Sequence, residues 1–225
     1  MNMTLDTRVK LAIRSGNLDN LKSLGDNIHG LDYRHENAVY LAVDERKHDV
    51  LQWLLREGVK PNVANYNGFV PLQQAIVNSD ILAVKILLQY VDVNTKFVMD
   101  NNTPLIHSVL YGSSNEIIKY LLDCGADLHY HNAFGDSAFL CACEEADWYA
   151  IDIFIKKDPN IVNDTNVRTG RSCLHIAIKD CHVLLMEKLI SYGAEIHAKD
   201  AYGVSVVDIF HSEFDVQGYG LDKIL

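Results

Sequence analysis

The chain has 225 residues, of which 48% are hydrophobic and 22% charged, and its formal net charge is −10. This apolar fraction is ample for a packed core, which argues against disorder along most of the length. Nucleic acid is a poor candidate ligand, because binding phosphates requires a footprint of lysine and arginine and acidic residues outnumber basic ones by 30 to 20.

The sequence shows no targeting segment, and its cysteines do not form a pattern of disulfides. The start, MNMTLDTRVK, leads into no apolar core of a signal peptide, and no run approaches the roughly 18 apolar residues that a spanning helix needs. The five cysteines are an odd number in a chain long enough to fold without disulfides, which favours reduced thiols. We therefore expect a soluble, cytoplasmic protein.

Helical starts recur along the chain at a nearly constant period. A shortened copy, TRVKLAIRSGNLDNLKSL, comes first, followed by ENAVYLAV, FVPLQQAI, NTPLIHSV, DSAFLCAC and RSCLHIAI, and the last copy, GVSVVDIF, is truncated. The aligned positions are Asn37, Val70, Thr103, Ser137, Ser172 and Ser205, so that the steps are 33, 33, 34, 35 and 33 residues. A period held over five steps indicates a repeat protein.

Each start is followed by a second apolar segment, which in most copies is closed by glycine. In the fourth copy, Ile117, Ile118, Leu121 and Leu122 fall at helical spacing, and Gly125 follows where a helix end favours a left-handed residue. Each unit is thus predicted to be helix, tight turn, helix and extended loop. Neither helix can bury its apolar face alone, so the units must stack around a continuous core.

Two groups of segments closely resemble the ankyrin repeat, whose pattern is T-P-L-H-x-A followed by a leucine-rich helix and G-A-D. They are TPLIHS with LLDCGADLHYHNAFGD, and CLHIAI with LISYGAEIHAKDAYG. The tetratricopeptide pattern of Trp and Gly-x-x-Tyr is missing. The resemblance implies an all-α ankyrin-repeat solenoid, in which helix-turn-helix units are joined by extended hairpin-like loops. The implied single domain, 1–225, has about seven repeats: a cap at 4–33, full repeats at 34–66, 67–99, 100–133, 134–168 and 169–201, and a truncated cap at 202–225.

The resemblance also implies a scaffold that binds another protein on a concave face, formed by the loop tips and the exposed edges of the first helices. At those positions the middle of the chain carries many apolar side chains, typical of interaction sites, with an acidic pair on either side. We therefore predict a partner segment with apolar anchors and basic flanks. The predicted site consists of Tyr66, Phe69, Val77, Asn78, Met99, Leu110, Tyr111 and Phe134 at the centre and Asp44, Glu45, Glu144 and Glu145 at the flanks. The alternative is that these aromatic side chains pack on neighbouring loops.

Several functions are compatible with such a scaffold. The first hypothesis is a monomeric adaptor or inhibitor that occupies a surface of one partner protein. The second is a targeting subunit, and a related version is a secreted effector of an intracellular bacterium or virus that binds a host protein in the host cytosol. No membrane association is expected.

Signals for an enzyme or a cofactor are weak, and we expect neither catalysis nor a metal site. No phosphate-binding loop, G-x-S-x-G or H-E-x-x-H motif occurs. The nearest catalytic grouping is Cys173 with His175, but His175 matches the family's structural histidine, which binds adjacent loops. Other histidines, including His107, lack ligand spacing and are expected as polar surface or turn residues. Asn94 lies in a turn that resembles those modified by asparaginyl hydroxylases.

Overall fold

The computed structural model describes residues 5–23 and 38–214. Regular structure in these two ranges consists of thirteen α-helices and one 3-10 helix. The α-helices are α1 (Leu5–Ser15), α2 (Leu18–Ser23), α3 (Ala38–Asp44), α4 (His48–Arg56), α5 (Pro71–Val77), α6 (Ile81–Leu87), α7 (Pro104–Leu110), α8 (Asn115–Asp123), α9 (Ala138–Glu144), α10 (Trp148–Lys157), α11 (Cys173–Lys179), α12 (Val183–Ser191) and α13 (Val206–Phe214).

The helices form two rows. Consecutive first helices pack side by side along the series α1, α3, α5, α7, α9, α11 and α13, and each of the first six also packs on the second helix that follows it. The second helices α4, α6, α8 and α10 form the other row. This arrangement confirms the predicted all-α solenoid. The predicted cap repeats at 4–33 and 202–225 extend outside the described residues, and the repeat boundaries stay predictions.

The helix α8 shows how the local sequence determines this packing. Ile117, Ile118, Leu121 and Leu122 are all buried, so the apolar stripe predicted from the spacing is the face that joins the core. Gly125 follows with a φ of +89°, a left-handed conformation that an L side chain rarely adopts. Glycine at this position therefore ends the helix and turns the chain into the next loop.

Two of the first helices, α7 and α9, begin at a hydroxyl residue that accepts a hydrogen bond from a free backbone amide. The Thr103 hydroxyl accepts a hydrogen bond from the Ile106 amide at 3.4 Å, and Pro104 occupies the first turn. In the next unit the Ser137 hydroxyl accepts from the Leu140 amide at 3.2 Å. The helices α7 and α9 therefore start at equivalent positions of their units, each at a capping hydroxyl.

One unit departs from the pattern after its second helix. The 3-10 helix Pro159–Asn163 follows α10 directly and buries Ile161 and Val162 against the core. The Asp158 carboxylate accepts a hydrogen bond from the Asn160 amide at 3.0 Å at its start. This short helix takes the place of the glycine-closed turn that follows α4, α8 and α12, and it keeps apolar side chains in the core.

Candidate partner-binding face

Large apolar side chains project from three successive loop tips. Tyr66 is 70% exposed, Met99 73% and Phe134 62%, and they lie in the loops before α5, α7 and α9. Tyr111, at the end of α7, is 49% exposed. Val77, at the end of α5, is also exposed. The solenoid therefore presents a row of unburied apolar groups at predicted positions, although their role in binding stays a prediction.

Phe69 and Leu110 are half-buried and contribute less to this surface. Leu110 packs against the core. The Phe69 ring meets the ring of His107 edge to face, with 6.2 Å between the centroids. These two side chains therefore pack towards the interior, and only part of each is exposed at the surface.

The buried residue beneath this patch is His107. It is 1% exposed, so the expectation of a surface or turn residue was wrong. Phe97 contacts the imidazole edge to face, with 5.2 Å between centroids, and Tyr111 stacks over it at 4.2 Å. His107, the histidine of TPLIHS, is thus a polar residue whose ring contacts three aromatic side chains, Phe69, Phe97 and Tyr111.

His107 has an unusual electrostatic environment. Neither of its ring nitrogens has a hydrogen-bond partner among the described residues. Burial lowers the pKa of the imidazole from 6.5 to about 4, and the negative charge of Asp100 opposes this shift only in part. The ring is therefore neutral at pH 7, and the centre of the patch carries no charge of its own.

The acidic pair on the N-terminal side is bound within the chain. The guanidinium of Arg14 donates from Nε to the Glu45 carboxylate at 2.8 Å. The Asp44 carboxylate accepts from the Gln74 side-chain amide at 3.1 Å, and the same amide donates to the Asn78 side-chain oxygen at 3.2 Å. Asp44 and Glu45 thus take part in contacts between neighbouring units, whereas the contact of the Asn78 side chain with Gln74 lies within one unit.

Of the acidic pair on the C-terminal side, Glu144 lines a cavity of about 420 Å³, together with Asp136 and Asp180. Partial burial raises the pKa of Glu144, and the charges of Asp136, Glu145 and Asp180 raise it further. Among the ion pairs of the described chain, none involves Glu144, Glu145 or Asp180. Arg171 and Lys179 line the same cavity, so that acidic and basic side chains share it.

The geometry of Cys173 and His175 disfavours the enzyme alternative. Cys173 is fully buried, and burial together with neighbouring Cys143 raises the pKa of its thiol well above the ordinary value. His175 Nδ1 accepts a hydrogen bond from the Ser172 hydroxyl at 2.8 Å, and its Nε2 lies 3.4 Å from the Val204 carbonyl oxygen. The imidazole therefore links its own helix start to the next loop, as the resemblance implied.

Within 5–23 and 38–214, no group of three or more His, Cys, Asp and Glu side chains could hold a metal ion. None of the helices in these ranges is long and apolar enough to cross a bilayer.

Asn94 takes part in the contact between two units. Its side-chain oxygen accepts from the Asp127 amide at 2.8 Å, and its side-chain nitrogen donates to the Gly125 carbonyl at 3.2 Å. Hydroxylation of Asn94 stays a prediction, and the side chain is held by the neighbouring loop in this structure.

A sequence profile described as three copies of ankyrin repeats matches residues 9–97, 39–132 and 105–200. The chain belongs to the ankyrin-repeat family. Its fold is similar to that of the ankyrin repeat domain of Bcl-3, a member of the IkappaB protein family. That comparison has a TM-score of 0.80 and covers 92% of this chain and 95% of the other at 21% identity, which shows the fold alone.

Curated relatives of this chain include viral ankyrin repeat proteins and a human cation channel subunit. The ankyrin repeat protein OPG189 of vaccinia virus (strain Copenhagen) is 20% identical over 73% of this chain and 28% of its own length. A putative ankyrin repeat protein of fowlpox virus, FPV024, is 27% identical over 57% of this chain and 22% of its own. The human transient receptor potential cation channel subfamily A member 1 is 26% identical over 75% and 16%. The matches thus span less than a third of each relative.

Proposed function

We propose that this ankyrin-repeat chain acts as an adaptor or inhibitor that holds a segment of a partner protein on its concave face. Ankyrin repeats are modules for protein–protein interaction, so binding is the general function of the fold. The observation that carries the proposal is the row formed by Tyr66, Met99 and Phe134, each more than 60% exposed at the tip of its loop. Exposed aromatic and methionine side chains in a row are typical of interfaces.

The degree of exposure bears on the alternative that these side chains pack on neighbouring loops. A side chain covered by the next loop would lose most of its accessible surface, and Tyr66, Met99 and Phe134 keep the greater part of theirs. The rings of Phe69 and Phe97 instead fill the space around His107. The loop tips are therefore free to contact a partner, while the layer below them gives rigidity.

The test is affinity capture from cell lysate followed by crosslinking. The face variant carries Tyr66→Glu, Met99→Glu and Phe134→Glu. The control variant carries Leu82→Glu and Leu184→Glu, which change exposed apolar residues of second helices. We expect partners bound by the wild type and the control and lost by the face variant, with equal helicity by circular dichroism. Equal capture by the face variant would refute the proposed surface.

A second candidate, a viral protein that binds a host protein, is supported by the matches to vaccinia and fowlpox virus proteins. It uses the same face and differs only in the origin of the partner. The same capture from lysates of vertebrate cells would identify a host partner. Because a human channel subunit also matches, the relatives alone do not decide between a partner from the protein's own cell and a partner from a host.

A further inference from the structure

Two buried thiols meet where the first helices α9 and α11 pack on each other. Cys143 lies in α9, and Cys173 is the first residue of α11. Both side chains are buried, with exposed fractions of 2% and 0%, and both are free thiols. The proposed binding of a partner does not use this pair, because neither side chain reaches the surface.

The position of the Cys173 sulfur brings the two thiols into contact. The Sγ atom lies 3.8 Å from the carbonyl oxygen of Phe139 on α9. In an α-helix this carbonyl also accepts the amide of the residue four positions later, which is Cys143, so the oxygen lies beside the Cys143 side chain. The Cys143 thiol is accordingly a hydrogen-bond partner of the Cys173 thiol. A disulfide requires Cα atoms within about 7 Å of each other, and contact between one cysteine and the backbone beside the other is typical of such a short separation.

Cys141 does not share this contact, although it lies on the same helix and is also 2% exposed. It precedes Cys143 by two positions, and at 3.6 residues per turn the two side chains point about 200° apart around the helix. Since Cys143 points towards α11, Cys141 points away from it. Cys141 is therefore a matched control for any reaction of Cys143.

We propose that Cys143 and Cys173 form an oxidation site, at which hydrogen peroxide joins the two sulfurs in a disulfide that fastens α9 to α11. One sulfur attacks a peroxide oxygen, the O–O bond breaks, and the hydroxide leaves with the thiol proton as water, which gives a sulfenic acid. The second sulfur attacks the sulfenic sulfur, so that an S–S bond replaces the S–O bond and the second proton leaves in another water. Two thiols are thus oxidised, and one peroxide is reduced to two waters.

Burial determines when this reaction occurs. Peroxide reaches neither thiol in the packed stack, and burial together with Cys143 raises the pKa of the Cys173 thiol, so that little reactive thiolate is present. The first step therefore requires a transient separation of α9 and α11, of the kind that stacks held by contacts between neighbouring units undergo. When the helices pack again, the two sulfurs return to contact and the disulfide closes. The exposed thiols of Cys124 and Cys181 should react before the buried pair.

The disulfide would hold together the same interface that must open to form it. The crosslink closes the loop between residues 143 and 173, which contains the whole of α10 and the 3-10 helix. A crosslink of this kind stabilises mainly by restricting the open state of the chain. Oxidation should therefore slow the opening of α10 and α11. The reaction is independent of partner binding and goes beyond the proposed function.

The experiment treats the full reduced chain with hydrogen peroxide under native conditions. Remaining thiols are alkylated in denaturant, and the chain is digested with trypsin without reduction. One product is the peptide 172–179, whose only cysteine is Cys173, and another is the peptide 120–156, which contains Cys124, Cys141 and Cys143. We expect mass spectrometry to detect these two peptides joined by a disulfide, and fragmentation of the joined pair should place the bond at Cys143.

Alanine variants identify the reacting cysteine independently. Cys143→Ala should abolish the joined pair, whereas Cys141→Ala should retain it at the wild-type level, with equal helicity by circular dichroism. Cys143→Ser serves the same purpose if the alanine variant does not fold. In the wild type, oxidation should slow deuterium exchange of peptides from α10 and α11 by about tenfold or more, and Cys143→Ala should show no such change.

Three results would overturn the inference. The first is the absence of a joined pair under conditions that oxidise Cys124 and Cys181. The second is a joined pair that persists in Cys143→Ala or is lost in Cys141→Ala, because Cys173 would then react with a different thiol. The third is a disulfide that leaves the exchange of α10 and α11 unchanged. Each of these results would leave the lysate capture as the test of the proposed function.

Discussion

The phenol ring of Tyr111 stacks on the imidazole of His107, with 4.2 Å between ring centroids and an angle of 34° between the ring planes. The Tyr111 ring is half-exposed on the candidate binding face, and the His107 ring is buried. His107 therefore supports the apolar centre through ring contacts alone, since its nitrogens bond to nothing in the described structure. A polar group in such a position reduces the free energy of unfolding.

Replacing this imidazole should stabilise the protein. His107→Leu removes two unpaired polar atoms and keeps a side chain of similar size, so the free energy of unfolding at pH 7 should rise by about 1 kcal/mol. The control is His175→Leu, which removes the bonds to Ser172 and Val204 and should lower it by about 1 to 3 kcal/mol. Urea denaturation measures both. A loss of stability in His107→Leu would contradict a net cost of the two unpaired nitrogens.

Protonation of His107 should make the stability depend on pH. Its pKa is about 4 in the folded chain and 6.5 in the unfolded one, so between these values the unfolded state binds more protons. The contribution of His107 therefore falls as the pH drops from 6.5 to 4, by at most about 1.4 kcal/mol per unit. The difference in unfolding free energy between His107→Leu and wild type should widen over this range. A constant difference would contradict the pKa shift.

Contacts between loops should be sensitive to a single methyl group. Gly135 has a φ of +92°, and a Cβ there would lie 2.8 Å from the side-chain oxygen of Asn166 and 3.2 Å from the Arg168 amide nitrogen. Gly125 has a similar φ of +89° with nothing within 4 Å. Gly135→Ala should therefore lower the free energy of unfolding by about 1 kcal/mol or more beyond the effect of Gly125→Ala. Thermal or urea unfolding of the two variants gives this difference, and equal losses would contradict the described loop packing.

A cavity in the middle of the stack should weaken its cooperative folding. Leu121 is fully buried, and Leu121→Ala should lower the free energy of unfolding by about 2 to 5 kcal/mol. The matched control Leu82→Ala changes a leucine that is 54% exposed on a second helix and should stay within about 0.5 kcal/mol. Unaltered unfolding of Leu121→Ala would mean that the assigned core is wrong.

Features that depend on local sequence could be predicted from the repeat alone. The period determines the helix pairs, the capping hydroxyls of Thr103 and Ser137 determine where first helices begin, and Gly125 determines where a second helix ends. Each of these depends on residues within a few positions of one another. The fold class followed from them because neither helix of a unit can be buried without its neighbours.

Features that depend on contacts between units were harder to predict. The half-burial of Phe69 and the burial of His107 arise where two units meet, and Glu45 is neutralised by Arg14 from the preceding unit. When each unit is considered alone, all these side chains are predicted to be exposed to solvent. The pairing of Arg14 with Glu45 spans 31 residues, close to one period, so opposite charges one period apart are a signal that could have found it.

The most direct test of the account is hydrogen exchange of the full chain, measured by mass spectrometry with and without the captured partner. We expect slower exchange of the loop-tip amides at 66–69, 99–102 and 133–136 when the partner is bound. Peptides from the second helices α4, α6 and α8 should exchange at unchanged rates. Protection confined to those second helices, with unaltered exchange at the loop tips, would contradict binding on the concave face.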